Sequence, residues 1–201
     1  MAFDTAPGRP ALNPPPRRCG ETPCRRQHTY AKVCRVNEDW EERTAAAWDT
    51  FDDYGEADAA NFRAVIDSLA AELPADSPLG PFERACAWDS TGHSDRAVPL
   101  YREALDRGLD GYRGRRARIQ LSSSLRNIGR AEEGVALLTP ELVAPSDELD
   151  DAVRACLALC LADLGREREG LALVIGALAP HLPRYQRSMA NYARLLVEPE
   201  A

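Results

Sequence analysis

The sequence predicts an all-α protein built from stacked helical hairpins, and three observations carry that reading. Four glycines, Gly55, Gly92, Gly129 and Gly165, recur at spacings of 37, 37 and 36 residues. Large apolar and very small residues stand at constant offsets from each of them. No stretch alternates apolar and polar residues with the period of two that a half-buried strand needs, so no sheet is expected.

The repeat has a simple physical plan. Four residues before each glycine stands Phe51, Trp88, Leu125 or Leu161, and five residues after it stands Ala60, Ala97, Gly134 or Gly170. Leu105, Leu142 and Leu178 follow thirteen residues after the last three glycines, with Ser68 in the first copy. Glycine can end a first helix in the left-handed conformation without a Cβ penalty, and a tight turn then sends a second helix back antiparallel. The small residues let the two backbones approach. Expected helices cover 39–53, 58–73, 78–91, 94–108, 114–128, 131–143, 148–164, 167–180 and 184–197, with Ser94 and Ser146 as N-caps. Pro140 removes an amide from the third hairpin's second helix, which should kink or end there. The tail from Tyr185 to Leu196 has no second helix after it, as expected of a terminal cap.

Residues 1–35 are different in kind. They hold six prolines, seven basic residues against Asp4 and Glu21, and almost no aliphatic periodicity. Such a composition buries too little apolar surface to order the chain, so a disordered leader is expected over 1–35 and the folded domain over 36–201. A translation start at Val36 is the alternative, in which the leader is not part of the natural protein. With a formal net charge of −7 for the whole chain, the body from residue 36 carries about −12. That charge repels phosphate backbones and argues against nucleic acid as a partner. No run of roughly 18 apolar residues is present to cross a membrane. Proline and arginine stand where a signal peptide would be apolar, so a cytoplasmic protein with reduced cysteines is expected.

Ala85-Cys86-Ala87-Trp88-Asp89-Ser90-Thr91-Gly92, with Ala97, Tyr101, Ala104 and Leu105, is similar to a tetratricopeptide repeat. Residues 38–198, including Leu125-Arg126-Asn127-Ile128-Gly129 and Pro183-Arg184-Tyr185-Gln186-Arg187, resemble the bacterial group-5 tetratricopeptide family. The spacing exceeds that family's norm of roughly 34 residues. The resemblance implies a right-handed α-solenoid of about four hairpins plus a C-terminal capping helix. Its concave face, lined by the first helix of each hairpin, would bind peptides or protein segments without catalysis.

On that reading the groove is lined by Asp49, Phe82, Asp89, Arg116, Ser123, Arg126 and Asn127, with Arg187, Asn191 and Arg194 from the cap. It should be acidic at its N-terminal end and basic at the other. Arg126, Asn127, Arg187 and Asn191 are the candidates for gripping a carboxylate on an acidic partner, because arginine offers a two-pronged donor. The alternative is that these arginines pair internally with Asp89, Asp163 or Glu132. Ala45 and Asp49 stand where a chaperone-binding clamp would want lysine and asparagine. A homodimer through Tyr185, Met189, Tyr192 and Leu196 of the terminal helix is the second functional reading.

Other constellations point less far. Cys19, Cys24, His28 and Cys34 supply four zinc-ligand types, but without a tight Cys-x2-Cys pair, and no cofactor is expected. Cys156 and Cys160, one turn apart on an apolar helix, read as buried packing. Arg113, Arg115, Arg116 and Arg118 read as a solvated face neutralised by Glu103, Asp106 and Asp110, with Arg113 on the outer side. No phosphate loop, Ser-His-Asp order or His-Glu-x-x-His motif occurs, so no enzyme activity is expected.

Overall fold

The computed structural model describes residues 26–198, with side chains from Glu38 onward apart from that of Glu56. The described secondary structure is helical throughout: α1 (Arg26–Asp49), α2 (Ala59–Ala70), α3 (Leu79–Ser90), α4 (Ser94–Asp106), α5 (Gly111–Asn127), α6 (Ala131–Leu138), α7 (Asp150–Asp163), α8 (Glu167–Leu178) and α9 (Gln186–Leu195). Residues 26–35 of α1 fall inside the segment that the sequence assigns to the leader, and residues 1–25 lie outside the described residues. From Trp40 onward the chain forms one compact unit.

Glycine closes three of the four hairpins in one way. Gly92 sits at φ 80°, and its N–H donates to the Asp89 carbonyl at 3.0 Å while the His93 N–H donates to the Trp88 carbonyl at 2.9 Å. The same pair of bonds recurs at Gly129 (φ 77°) and Gly165 (φ 72°), where the outer bonds run from Arg130 to Leu125 at 2.8 Å and from Arg166 to Leu161 at 2.9 Å. This is the Schellman closure, which satisfies carbonyls that the helix end leaves without partners. The apolar residue four positions before each glycine is thus the acceptor of the outer bond. In the second copy its ring also packs edge-on against His93, with centroids 5.2 Å apart.

The first copy departs from the plan. Gly55 does not take the left-handed conformation. The chain instead makes 3-10 turns at Phe51–Asp53 and Glu56–Asp58, with Tyr54 extended between them at φ −84° and ψ 121°. This longer connection reverses direction gradually, and packing holds it: Phe51 and Tyr54 place their rings 4.8 Å and 5.4 Å from that of Phe62. Ala60 accordingly lies exposed, whereas Ala97, Gly134 and Gly170 are buried. A Cβ on Gly134 would sit 2.7 Å from the Cys160 sulfur, and one on Gly170 only 2.8 Å from the Ala158 carbonyl oxygen.

The two expected serine caps are not formed. His93 occupies the N-cap of α4, and Ser94 is already its first residue. Ser146 precedes α7 and donates to the Asp150 carboxylate at 2.7 Å, while the Asp147 side chain accepts the Leu149 N–H at 2.8 Å. A carboxylate two residues upstream bends the chain into the helix as well as a serine cap would. Pro140 does end α6, and a 3-10 turn follows at Pro140–Val143.

Each hairpin covers the next. Helices α3, α5 and α7 touch in succession, and each also packs on the second helix of the preceding hairpin, so these three form the inner layer. One core joins Phe82, Cys86, Val98, Tyr101, Leu121 and Leu125 across the second and third hairpins. The next joins Ile119, Leu138, Val153, Leu157 and Leu161 across the third and fourth. Terminal helix α9 packs along α8, its Ala193 methyl beside Gly176.

Two glycines with open space around them separate conformational strain from packing. Gly129→Ala should lower stability by about 1–2 kcal/mol, because a Cβ is disfavoured in the left-handed region. Gly55→Ala should leave the melting temperature nearly unchanged. Thermal unfolding followed by far-UV circular dichroism measures both.

Candidate functional site

The inner layer carries a polar stripe on α5. Arg116, Gln120, Ser123 and Asn127 recur at intervals of four, three and four residues, which places them on one face of the helix. Arg116, Gln120 and Ser123 are half-buried and Asn127 is exposed. The Arg116 guanidinium lies over the Phe82 ring, 5.4 Å from its centroid. Gln120 accepts a hydrogen bond from the Cys86 thiol at 3.6 Å, and Asn127 donates to the Ser94 hydroxyl at 3.2 Å.

Several residues assigned to the groove lie elsewhere. Phe82 is fully buried, a core residue that supports Arg116 from below and does not itself line a surface. Asp89 is held between hairpins, with its carboxylate accepting from Ser124 at 2.7 Å and from Tyr101 at 3.3 Å. Burial raises its pKa above the ordinary carboxylate value. Arg126 meets Asp163 of α7 with two nitrogens, at 2.9 Å and 3.2 Å, which is the internal pairing set out as the alternative to gripping a ligand. Asp49 is exposed at the end of α1.

The cap residues do not extend the polar stripe. Arg194, with Ala193 and Val197, lines a cleft against Val135 and Thr139 of the third hairpin and Leu157 and Leu161 of α7. It pairs with Glu198 and donates to Asn191 at 2.9 Å. Arg187 is exposed on the same helix. The basic C-terminal end expected of the groove is therefore not assembled from these side chains, because α9 lies along α8 and not in line with the inner helices.

The arginine cluster at the start of α5 is not a solvated face. Arg113 makes a two-pronged pair with Glu41 of α1, two hairpins away, on the inner side. Arg115, only 6% exposed, is surrounded by Glu141, Asp147 and Asp150 and also donates to the Glu141 carbonyl at 3.1 Å. Arg118 pairs with Glu141 as well. Glu103, expected to neutralise this cluster, pairs with Arg107. Asp150 is held down at about 2 by the Ser146 hydroxyl and then by Arg115.

Sequence reasoning missed Glu83, although it stands one turn before Ala87 on α3. It is 6% exposed and accepts from the Trp48 indole at 2.7 Å, with Arg113 and Arg116 nearby. Burial raises its pKa all the same. The signal available was a glutamate inside an apolar helix face, flanked by Phe82 and Cys86.

Cys86 is buried, and burial pushes its thiol up to about 12. Burial also raises Cys156 and Cys160, the latter packed beneath Gly134. A thiol that burial keeps protonated at neutral pH is a poor nucleophile. Among the described residues no cluster of three or more His, Cys, Asp or Glu is arranged to hold a metal. The Cys19, Cys24, His28 and Cys34 set lies outside the described side chains.

Two measurements test these electrostatics. Arg115→Ala leaves three carboxylates facing one another and should cost about 3–5 kcal/mol, read from chemical denaturation. Glu83→Gln keeps an acceptor for Trp48 and removes a charge that burial disfavours. The folded-state pKa of Glu83 is raised, so the wild-type chain gains stability as pH falls and this carboxyl takes its proton. The variant should therefore melt above wild type at pH 7, and the gap should narrow on acidification.

Comparison with known proteins gives one family. The tetratricopeptide repeat model matches residues 78–196, which begin at the second hairpin, where the glycine closure becomes regular, and end in the cap helix. No curated protein and no solved structure matches the chain. With that match over more than half its length, and with hairpins stacked as the repeat requires, the chain belongs to the tetratricopeptide repeat family.

Proposed function

We propose that this protein is a non-catalytic scaffold that holds a segment of a partner protein against the inner layer of helices, in the cytoplasm. The observation that carries this reading is the accessible polar stripe of Arg116, Gln120, Ser123 and Asn127 on α5, framed by the ion pairs Arg113–Glu41 and Arg126–Asp163. A stripe of a cation, an amide, a hydroxyl and a second amide can hydrogen-bond an extended backbone and an acidic side chain together. Arg116 is the cation that such an acidic residue would meet, since Arg126 already holds a carboxylate of its own. Family membership supports the class, because helical repeats of this kind generally serve protein interactions.

A second reading, self-association through the C-terminal helix, is favoured by the exposed side chains of Tyr185, Tyr192 and Leu195 on α9.

The first reading is tested by capturing partners from the native cell and measuring the affinity of a purified partner for variants. A charge-assisted bond in a groove contributes about 1.5–3 kcal/mol, so Arg116→Ala should weaken binding roughly tenfold or more. Arg96→Ala, which removes an exposed charge from α4 in the outer layer, should change little. Equal weakening by both would mean diffuse electrostatic attraction and would reject the inner stripe as the site.

A further inference from the structure

The repeat shows what normally fills the side of a hairpin that faces the next one. Ten, six and three residues before the glycine, the second copy carries Phe82, Cys86 and Asp89, which meet Arg116, Gln120 and Ser124 of α5. The third copy carries Ile119, packed with Val153 and Leu157 of α7, half-buried Ser123, and Arg126, paired with Asp163. In the fourth copy the same positions are Ala155, Leu159 and Ala162, all exposed, with Leu159 at 48%.

The second helix of each hairpin repeats the pattern. Six and nine residues after the glycine stand Val98 and Tyr101 in the second copy, at 4% and 0% exposure. In the fourth copy these positions are Leu171 and Val174, at 50% and 42%. The exposed residues of both helices line one cleft of about 530 Å³, with Leu196 at its rim. A groove that elsewhere receives an inner helix is open at the C-terminal end, because α9 packs along α8 and does not take the place of a fifth inner helix.

Helix α9 has the complementary defect. Met189 is half-buried and Ala193 buried, but Tyr192 and Leu195 stand 58% and 48% exposed, and Tyr185, at the helix's N-cap, 73%. Leu196, four residues after Tyr192, lines the cleft as well, and Arg168 donates to its carbonyl at 2.7 Å, so the stripe adjoins the groove. We propose that two copies of this chain associate through their C-terminal ends about a two-fold axis, the α9 stripe of each lying in the α7–α8 groove of the other. This rests on the self-association reading and adds the receptor groove. A second copy is the favoured occupant because one chain carries both halves at one end, which is the self-complementarity that a two-fold interface requires. The groove is continuous with the hairpin-to-hairpin interface inside the chain, so its shape suits a helix with Leu and aromatic side chains.

The test is molar mass by light scattering and sedimentation equilibrium over micromolar to millimolar concentrations, on the full chain. Wild type should reach twice the monomer mass. Leu171→Glu in the groove and Tyr192→Glu in the stripe should each raise the dissociation constant by about a hundredfold, since either places a charge in an apolar contact. Both side chains are exposed in the monomer, so the helical spectrum and melting temperature of the monomer should hold. A mixture of the two variants should associate more tightly than either alone, because each mixed pair regains one intact groove with one intact helix. A wild-type chain that stays monomeric throughout would overturn both the groove and the self-association reading. A dimer abolished by Tyr192→Glu but indifferent to Leu171→Glu would keep self-association and overturn the groove. Binding of a foreign amphipathic helix in the cleft of a monomeric chain would overturn the second copy as its occupant.

Discussion

A helical hairpin buries only the surface between its two helices and leaves one flank apolar. Everything else in this molecule follows from the need to cover that flank. The helices must come close, which explains why Gly170 has no room for a Cβ beside α7 of its own hairpin, and why Gly134 has none beside Cys160 of the next. Within each hairpin the glycine closure after α3, α5 and α7 fixes the angle of the second helix through two backbone bonds, and with it the flank presented to the next hairpin. The apolar residue before the closure then serves twice, as carbonyl acceptor for the turn and as a side chain packed between helices.

Charge fixes the register of the stack once the apolar surfaces meet. Arg115 gathers Glu141, Asp147 and Asp150 and so fastens α5 to the irregular segment between α6 and α7, where Pro140 has cut the helix short. Arg113 reaches Glu41 across the intervening hairpin, and Arg126 reaches Asp163 on the next. The carboxylates of buried Glu83 and half-buried Asp89 work differently. They accept from Trp48, and from Ser124 and Tyr101, so neutral donors from neighbouring helices satisfy them, while desolvation outweighs those bonds and raises both pKa values. Polar contacts inside a stack are less forgiving than apolar ones, because each misplaced donor leaves a partner unsatisfied.

The two ends of the array differ for the same reason. At the N-terminal end the aromatic cluster of Trp48, Phe51, Tyr54 and Phe62 closes the first connection without the glycine geometry. The matched family region begins beyond it. At the C-terminal end α9 covers only part of the last hairpin and leaves Leu159, Leu171 and Val174 in solvent. A surface of that kind is where a repeat protein either meets a partner or is left prone to association.

By itself the sequence determined the helical class, the hairpin plan, the end of α6 at Pro140 and the role of the small residues. These depend on local conformational cost and on one-dimensional spacing, which a repeat writes several times over. Only the tertiary structure decided which way each side chain works. The offsets that suggest a groove turned out, at Phe82, Asp89 and Arg126, to mark the seam between consecutive hairpins, because a helix face cannot be assigned to solvent or neighbour without knowing where the neighbour lies. The partners of Arg113 and Arg115 stand 72 and about 30 residues away, beyond any local rule. The course of α9 along α8 was equally hidden, since an amphipathic helix at the end of an array can be covered on either side and its own sequence reads the same in both.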